Sequence, residues 1–297
     1  WLKPSRAWPT AGAWTPTLTW KGREVVLLAA PRAGTQGRGH PEPMAMHAGA
    51  WDQEVVLRSG TREGKTASEL KFRIRELPMA DGVFASTGCQ LWGGSVLLAH
   101  ALLSRPELVA GKRVAELGAG CGLLSIVVAR FARYVLVTDG DDEAVSNAVH
   151  NLHTNEHCWR AEHGQLSCEV AVRTLVWKEV VQTDWPEERF DAVVASDVIY
   201  GQWGDTVAAA MLHLLKPGGL LLLAAAEDRR SGIDSFKDCV WAAGFQVAET
   251  KRRIPALGSA YFTYECRKRR DGEPLETFDE QLEDEGAPRP GSLVSWR

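Results

Sequence analysis

Val114-Ala115-Glu116-Leu117-Gly118-Ala119-Gly120-Cys121-Gly122-Leu123-Leu124 decides the fold class. An apolar, strand-like run ends in an acid, three glycines follow at alternate positions, and an apolar run with helical spacing closes the stretch. That order reads as strand, tight turn and helix start. Residues without side chains let the backbone press against a ligand, and the first turn of a helix presents N–H groups with no intrahelical partner. Dinucleotide folds use such a turn with the spacing Gly-x-Gly-x-x-Gly and seat a pyrophosphate on the helix N-terminus. Here Leu123 occupies the last position of that fingerprint, and the third glycine comes one residue early, at Gly122. The dinucleotide pattern, and a dehydrogenase with it, is therefore disfavoured.

Outward from this turn, strand and helix patterns alternate. Strand-like runs are Arg113–Leu117, Tyr134–Thr138, Glu169–Leu175, Ala192–Ser196, Leu220–Ala225, Gln246–Thr250 and Tyr261–Cys266. Helical patterns fall at Ser95–Leu103, Leu123–Phe131, Asp142–His153, Thr206–Leu215 and Ile233–Ala243. Alternation of this kind predicts an α/β fold, a mostly parallel sheet with helices on both faces. No helix separates the last two strands, so an antiparallel edge hairpin is expected there.

The flanks differ in character. Residues 1–48 are punctuated by Pro4, Pro9, Pro16, Pro31, Pro41 and Pro43 and are expected to be poorly structured, with one short strand at Glu24–Leu28. Residues 49–84 carry two strand patterns, Glu54–Arg58 and Leu70–Arg75, which predict a small β-hairpin extension. The main domain is expected over 85–268. The tail, 269–297, is acid-rich after Arg267-Lys268-Arg269-Arg270 and is expected to be disordered.

Composition narrows the class. A chain of 297 residues fits one large domain with extensions, and its 45% hydrophobic content is ordinary for a globular protein. A net charge of −4 argues against a general nucleic-acid binder. Six cysteines without a Cys-x-x-Cys pair point to reduced thiols inside the cell, in cytoplasm or nucleus, rather than a disulfide framework or zinc site. No apolar run approaches the roughly 20 residues of a membrane span. The chain opens on Trp1 rather than Met, so a native start upstream is expected. His150, His153, His157, Cys158 and His163 cluster in sequence but read as surface residues of a helix and its flank, so no metal site is expected. His100, inside an apolar helix pattern, is expected to be packed in the core.

The strand ends carry the chemistry, because an open parallel sheet binds ligands beyond the carboxyl ends of its strands. Gly118, Gly120 and Gly122 can cradle a ligand, with Glu116 at the end of the first strand to order the loop or reach a ligand ammonium. Asp139 follows the second strand, about 20 residues past the glycines, where an acid can accept two hydrogen bonds from a ribose diol. Asp141 and Asp142 read as caps of the following helix. Trp177 follows the third strand and can stack on a base; a core tryptophan is the alternative. Ser196-Asp197-Val198-Ile199-Tyr200 closes the fourth strand, and Trp92 precedes the first helix in Thr87-Gly88-Cys89-Gln90-Leu91-Trp92-Gly93-Gly94-Ser95.

The order tryptophan, Glu-Leu-Gly-Ala-Gly-x-Gly, Thr-Asp, Leu-x-Trp, Ser-Asp-Val-x-Tyr resembles the Asp-x-x-Tyr group of seven-β-strand (class I) protein-lysine methyltransferases over roughly residues 70–267. The resemblance implies S-adenosyl-L-methionine as methyl donor, held by Trp92, Glu116, Gly118, Gly120, Gly122, Asp139, Trp177 and Ser196. It implies catalytic roles for Asp197 and Tyr200 at the acceptor nitrogen, a protein substrate and a monomeric enzyme. One departure is Val176, where members often carry an acid before the adenine-side tryptophan. A non-catalytic donor-binding scaffold, or transfer to arginine, histidine or a small molecule, stays open.

Overall fold

The structure, a computed structural model, describes residues 50–58, 69–78, 87–160, 168–182, 185, 188–227, 231–254 and 259–268, together with the short strands 17–20, 23–26 and 281–283. Other calls on the flanks, including the loop joining the expected hairpin strands, lie outside the described residues.

A single sheet organises the main domain. Its parallel part is β7 (Glu169–Thr174), β6 (Tyr134–Asp139), β5 (Arg113–Leu117), β8 (Phe190–Ser196) and β9 (Leu215–Ala226), in that spatial order. Beyond β9 lies β11 (Ser259–Lys268), antiparallel to it, and then β10 (Phe245–Ile254), antiparallel to β11. The expected antiparallel edge is thus a strand inserted between two neighbours of the opposite direction. Inside the segment expected to be disordered, Gln281–Glu283 (β12) adds a short parallel strand to β10. Near the other terminus, Thr17–Trp20 (β1) pairs with Arg23–Val26 (β2), which overlaps the strand expected at Glu24–Leu28.

Alternation along the strands divides the core into two layers. Val114 of β5, Ala192 and Val194 of β8 and Leu222 of β9 pack on one face, under α1 (Gly93–Ser104), α2 (Leu123–Ala129) and α3 (Asp142–Thr154). Ala115, Leu117, Val193, Ala195 and Leu223 pack on the other, under α6 (Gly204–Leu214) and α7 (Ile233–Ala242). Burial on both faces is why these strands read as nearly continuous apolar runs. His100 departs from its expected place: it stands at the half-buried flank of α1, because the buried stripe there runs through Val96, Leu97, Ala99, Leu102 and Leu103.

The N-terminal hairpin, β3 (Trp51–Arg58) with β4 (Glu69–Glu76), forms as expected in a separate two-stranded sheet. Its attachment was not legible in the hydrophobic pattern. Asn147, Asn151 and Asn155, spaced at i, i+4 and i+8, lie on one face of α3 and just past its end, and all are fully buried. Asn155 Oδ1 accepts from Arg73 N–H at 2.8 Å while its amide donates to Arg73 O at 2.8 Å. Asn151 does the same with Arg75, at 2.8 and 2.9 Å, and also donates to Cys121 O at 2.9 Å. Asn147 accepts from Arg75 Nε at 2.8 Å and donates to Arg75 O at 3.0 Å. The helix thus offers amide side chains where a neighbouring strand would offer backbone. His153 and His157 are exposed on the same stretch, and the buried asparagines occupy the opposite side.

Removing one of these amides strands buried backbone groups, each at a cost of roughly 1–3 kcal/mol. Asn151→Ala orphans Arg75 N–H and Cys121 O, so chemical denaturation is expected to show a loss of about 2–4 kcal/mol.

Candidate functional site

Strand register brings the sequence motifs to one edge. Leu117 pairs with Thr138 on one side and Ala195 on the other, so Gly118, Asp139 and Ser196 follow at the same level. Between β5 and β8 the chain reverses the direction in which it builds the sheet, since β6 and β7 extend one way and β9 the other. A crevice opens at such a switch point. Here it is a cavity of about 390 Å³, and its wall includes Trp92, Gly118, Gly120, Gly122, Asp139, Trp177, Ser196, Asp197 and Tyr200.

The glycine turn is built from three left-handed residues, with φ of +68° at Gly118, +54° at Gly120 and +78° at Gly122. Its lack of side chains serves the protein's own packing first. A Cβ on Gly118 would lie 2.5 Å from Val198 Cγ1, and one on Gly120 would lie 2.7 Å from Gly88 O. The turn therefore draws in the loop after β8 on one side and the loop before α1 on the other. Asp139 fixes it from beneath: Oδ2 accepts from Gly120 N–H at 3.0 Å and Oδ1 from Asp141 N–H at 3.1 Å. Burial pushes the Asp139 carboxyl above its ordinary value against these hydrogen bonds. Asp141 caps α3, accepting from Glu143 N–H at 2.7 Å, and also reaches the cavity wall.

Glu116 stands apart. It shares the β5 face with Val114 and points under α2, where Ser125 Oγ donates to its Oε2; it is absent from the cavity wall. Its Oε1 has no partner among the described residues. Burial is the main cause that pushes its carboxyl up to about 8, with the Asp139 charge adding to the shift and the Ser125 bonds opposing it.

Asp197 adopts φ +53°, the one positive value outside glycine among the described residues. Its Oδ2 accepts from Gly94 N–H at 2.7 Å and its Oδ1 from Ala226 N–H at 3.2 Å, so one carboxylate joins the first turn of α1 to the end of β9. A Cβ on Gly94 would overlap that carboxylate. Trp92, at the N-cap of α1, is 44% exposed and donates Nε1–H to Thr87 O at 2.8 Å. Its loop is anchored to the hairpin through Glu76, which accepts from Leu91 N–H at 2.7 Å. Trp177 begins the short helix α5 (Trp177–Val180); its buried indole N–H has no partner among the described residues. Tyr200 is 52% exposed at the mouth, and desolvation, then the Asp139 charge, push its phenol upward. The wall also includes Thr87, Gln90 and Ser95, which lie in the stretch quoted around Trp92 but received no role of their own from the sequence.

Among the described residues the wall holds three carboxylates, Asp139, Asp141 and Asp197, and no Lys, Arg or His. Such a cavity suits cationic or polyhydroxyl ligands and opposes a pyrophosphate, which seeks cations and free helix N–H groups.

A family model described as lysine methyltransferase matches residues 71–240. The chain belongs to that family. Among the family's curated relatives, protein-lysine N-methyltransferase EFM3 of Chaetomium thermophilum is 28% identical over 61% of this chain and 54% of its own length. Protein-lysine N-methyltransferase rrg1 of Schizosaccharomyces pombe is 27% identical, covering 65% of this chain and 67% of its own. Human methyltransferase-like protein 22 is 43% identical over 33% of this chain and 23% of its own. The chain thus spans about half the length of the Chaetomium family member.

A carboxyl raised on folding costs stability wherever the unfolded chain has ionised it. For Glu116 that loss begins near the ordinary value of 4.5 and grows until about pH 8. Glu116→Gln is therefore expected to match the wild type near pH 4.5 and to exceed it by on the order of 2–4 kcal/mol at pH 8, read from urea unfolding at both values.

Proposed function

We propose that this chain is an S-adenosylmethionine-dependent protein-lysine N-methyltransferase, a monomer acting in cytoplasm or nucleus on a protein substrate rather than nucleic acid. The observation that carries the reading is the switch-point cavity, walled among the described residues by three carboxylates and no cationic side chain. When bound, S-adenosylmethionine would supply an activated methyl carbon: a neutral amine forms a bond to it in line as its bond to the sulfonium sulfur breaks, and S-adenosylhomocysteine leaves as the neutral thioether.

The residues fit that donor. The glycine turn offers a surface free of side chains at its methionine and ribose end, and in this reading Asp139, on the wall and with a second lone pair on each oxygen beyond those given to Gly120 and Asp141, accepts from the ribose hydroxyls. Trp177 offers a ring for the adenine, since it lies on the cavity wall. Trp92 walls the methionine end and Ser196 lines the floor. Glu116 supports the loop from beneath α2, as a neutral acid at pH 7.

On the acceptor side, Tyr200 closes the mouth and contacts the incoming nitrogen through a phenol that stays protonated. Asp197 gives up its carboxylate to Gly94 and Ala226, so we assign its side chain a positioning role: it sets Trp92 and the loop to Tyr200. A lysine must lose a proton before transfer, and its ordinary pKa is about 10.4. The carboxylates attract the ammonium and work against that loss, while exclusion of water from the closed mouth works for it. The protein's contribution is then orientation and desolvation rather than strong general-base catalysis.

Incubation with methyl-labelled donor and a cell extract should place label on a lysine; donor binding without any protein label would indicate a scaffold. Asp139→Ala should weaken donor binding by roughly 1.5–3 kcal/mol in calorimetry, the scale of a hydrogen bond to a charged group. Tyr200→Ala should slow single-turnover transfer by about 100-fold with donor affinity near wild type. Asp197→Ala should lower melting temperature, donor affinity and transfer together, because it frees two backbone N–H groups at once.

A further inference from the structure

Beyond the cavity, the loop after β8 carries a second exposed aromatic. Trp203 is 41% exposed, three residues after Tyr200, at the N-cap of α6. Lys178, the residue after Trp177, holds its Nζ 4.2 Å from the centroid of the Trp203 ring. The ring therefore already receives an ammonium, between two elements that both reach the cavity through Tyr200 and Trp177. An indole face attracts cations through its quadrupole, most strongly where water is thinned.

The loop that presents the ring is braced. Gly201 turns with φ +57°, and a Cβ there would meet Trp203 Cδ1 at 4.0 Å. Gly204 packs on the Gly232 carbonyl so closely that a Cβ on it would overlap that oxygen. Ser231 Oγ donates to Gly201 O at 2.9 Å. An exposed tryptophan on a braced loop is pre-organised for a partner, and little ordering is lost when one arrives.

Resting on the function proposed above, we propose that Trp203 is a specificity-determining residue of the acceptor surface. It reads a second cationic side chain, Lys or Arg, beside the lysine that enters the cavity, and that side chain takes the place of Lys178 on the ring. The acceptor is then a basic segment of a protein. Charge complementarity supports that occupant, since the cavity wall, which Tyr200 joins to this loop, carries Asp139, Asp141 and Asp197 and, among the described residues, no Lys, Arg or His.

The test is a titration of the full chain, saturated with S-adenosylhomocysteine, with two synthetic peptides, acetyl-Arg-Gly-Lys-Gly-Arg-amide and acetyl-Glu-Gly-Lys-Gly-Glu-amide, read by the indole N–H resonance of Trp203 and by calorimetry. The basic peptide should bind saturably and shift that resonance, and the acidic one should not. Trp203→Ala should weaken the basic peptide about five-fold or more while S-adenosylhomocysteine affinity is kept, and Trp203→Phe should restore most of the loss. Lys178→Gln should leave basic-peptide affinity unchanged or tighter. Equal binding of both peptides, no binding of the basic peptide to the loaded protein, unchanged affinity in Trp203→Ala, or a loss in Lys178→Gln equal to that in Trp203→Ala would each overturn the inference. Failure of S-adenosylhomocysteine itself to bind would instead overturn the underlying function, and the inference with it.

Discussion

Close approach without side chains holds the carboxyl edge of the sheet together. Gly118 lies against Val198, Gly120 against the Gly88 carbonyl, and Gly94 against the Asp197 carboxylate. These contacts gather loops that are far apart in sequence around one opening. Each leaves no room for a methyl group, so the cavity's shape depends on bare backbone passing close to a neighbour, a side chain at Gly118 and Gly94 and a carbonyl at Gly120. Backbone geometry of this kind is rigid, which is what a site needs when its contribution is orientation.

Periodicity carried most of the fold. Strand β5 and the start of α2 fall where the apolar runs place them, because β5 is buried on both faces and the glycines punctuate its end. Helix α3 begins at Asp142, as read, because Asp141 is a strong cap. The hairpin's attachment was not legible, since asparagine at i, i+4 and i+8 reads as a polar face. Only the structure shows that this face meets a strand. The wall of the cavity followed from motifs at strand ends, where register does the gathering. Glu116 escaped that logic: strand alternation turns it to the α2 side of the sheet, two residues before the turn it supports.

Charge is distributed with the same economy. The charged residues on the described wall of the cavity are all carboxylates, and apart from Lys178 on the Trp203 ring the cations named here sit elsewhere. Arg113 lies 3.9 Å from the centroid of Tyr134, and Lys216 is bonded to Asp191 at 3.0 Å, near the amino ends of the strands. A field of one sign at the mouth attracts cations before contact and repels polyanions. In the proposed reaction three carboxylates near the amine would also oppose its deprotonation, so a wall that draws in a lysine would restrain its reactivity.

The asparagine clamp has a consequence for the limits of the functional unit. Strand β4 is gripped by α3, and its last residue, Glu76, holds the loop that presents Trp92. The hairpin therefore acts as a foundation stone for one side of the cavity, although it shares no sheet with it. A boundary drawn at residue 84 would cut between the stone and the wall it bears. Trimming the chain to the segment after the hairpin would remove the Glu76 carboxylate that holds the loop of Trp92, so the structural unit that shapes this rim begins at the hairpin.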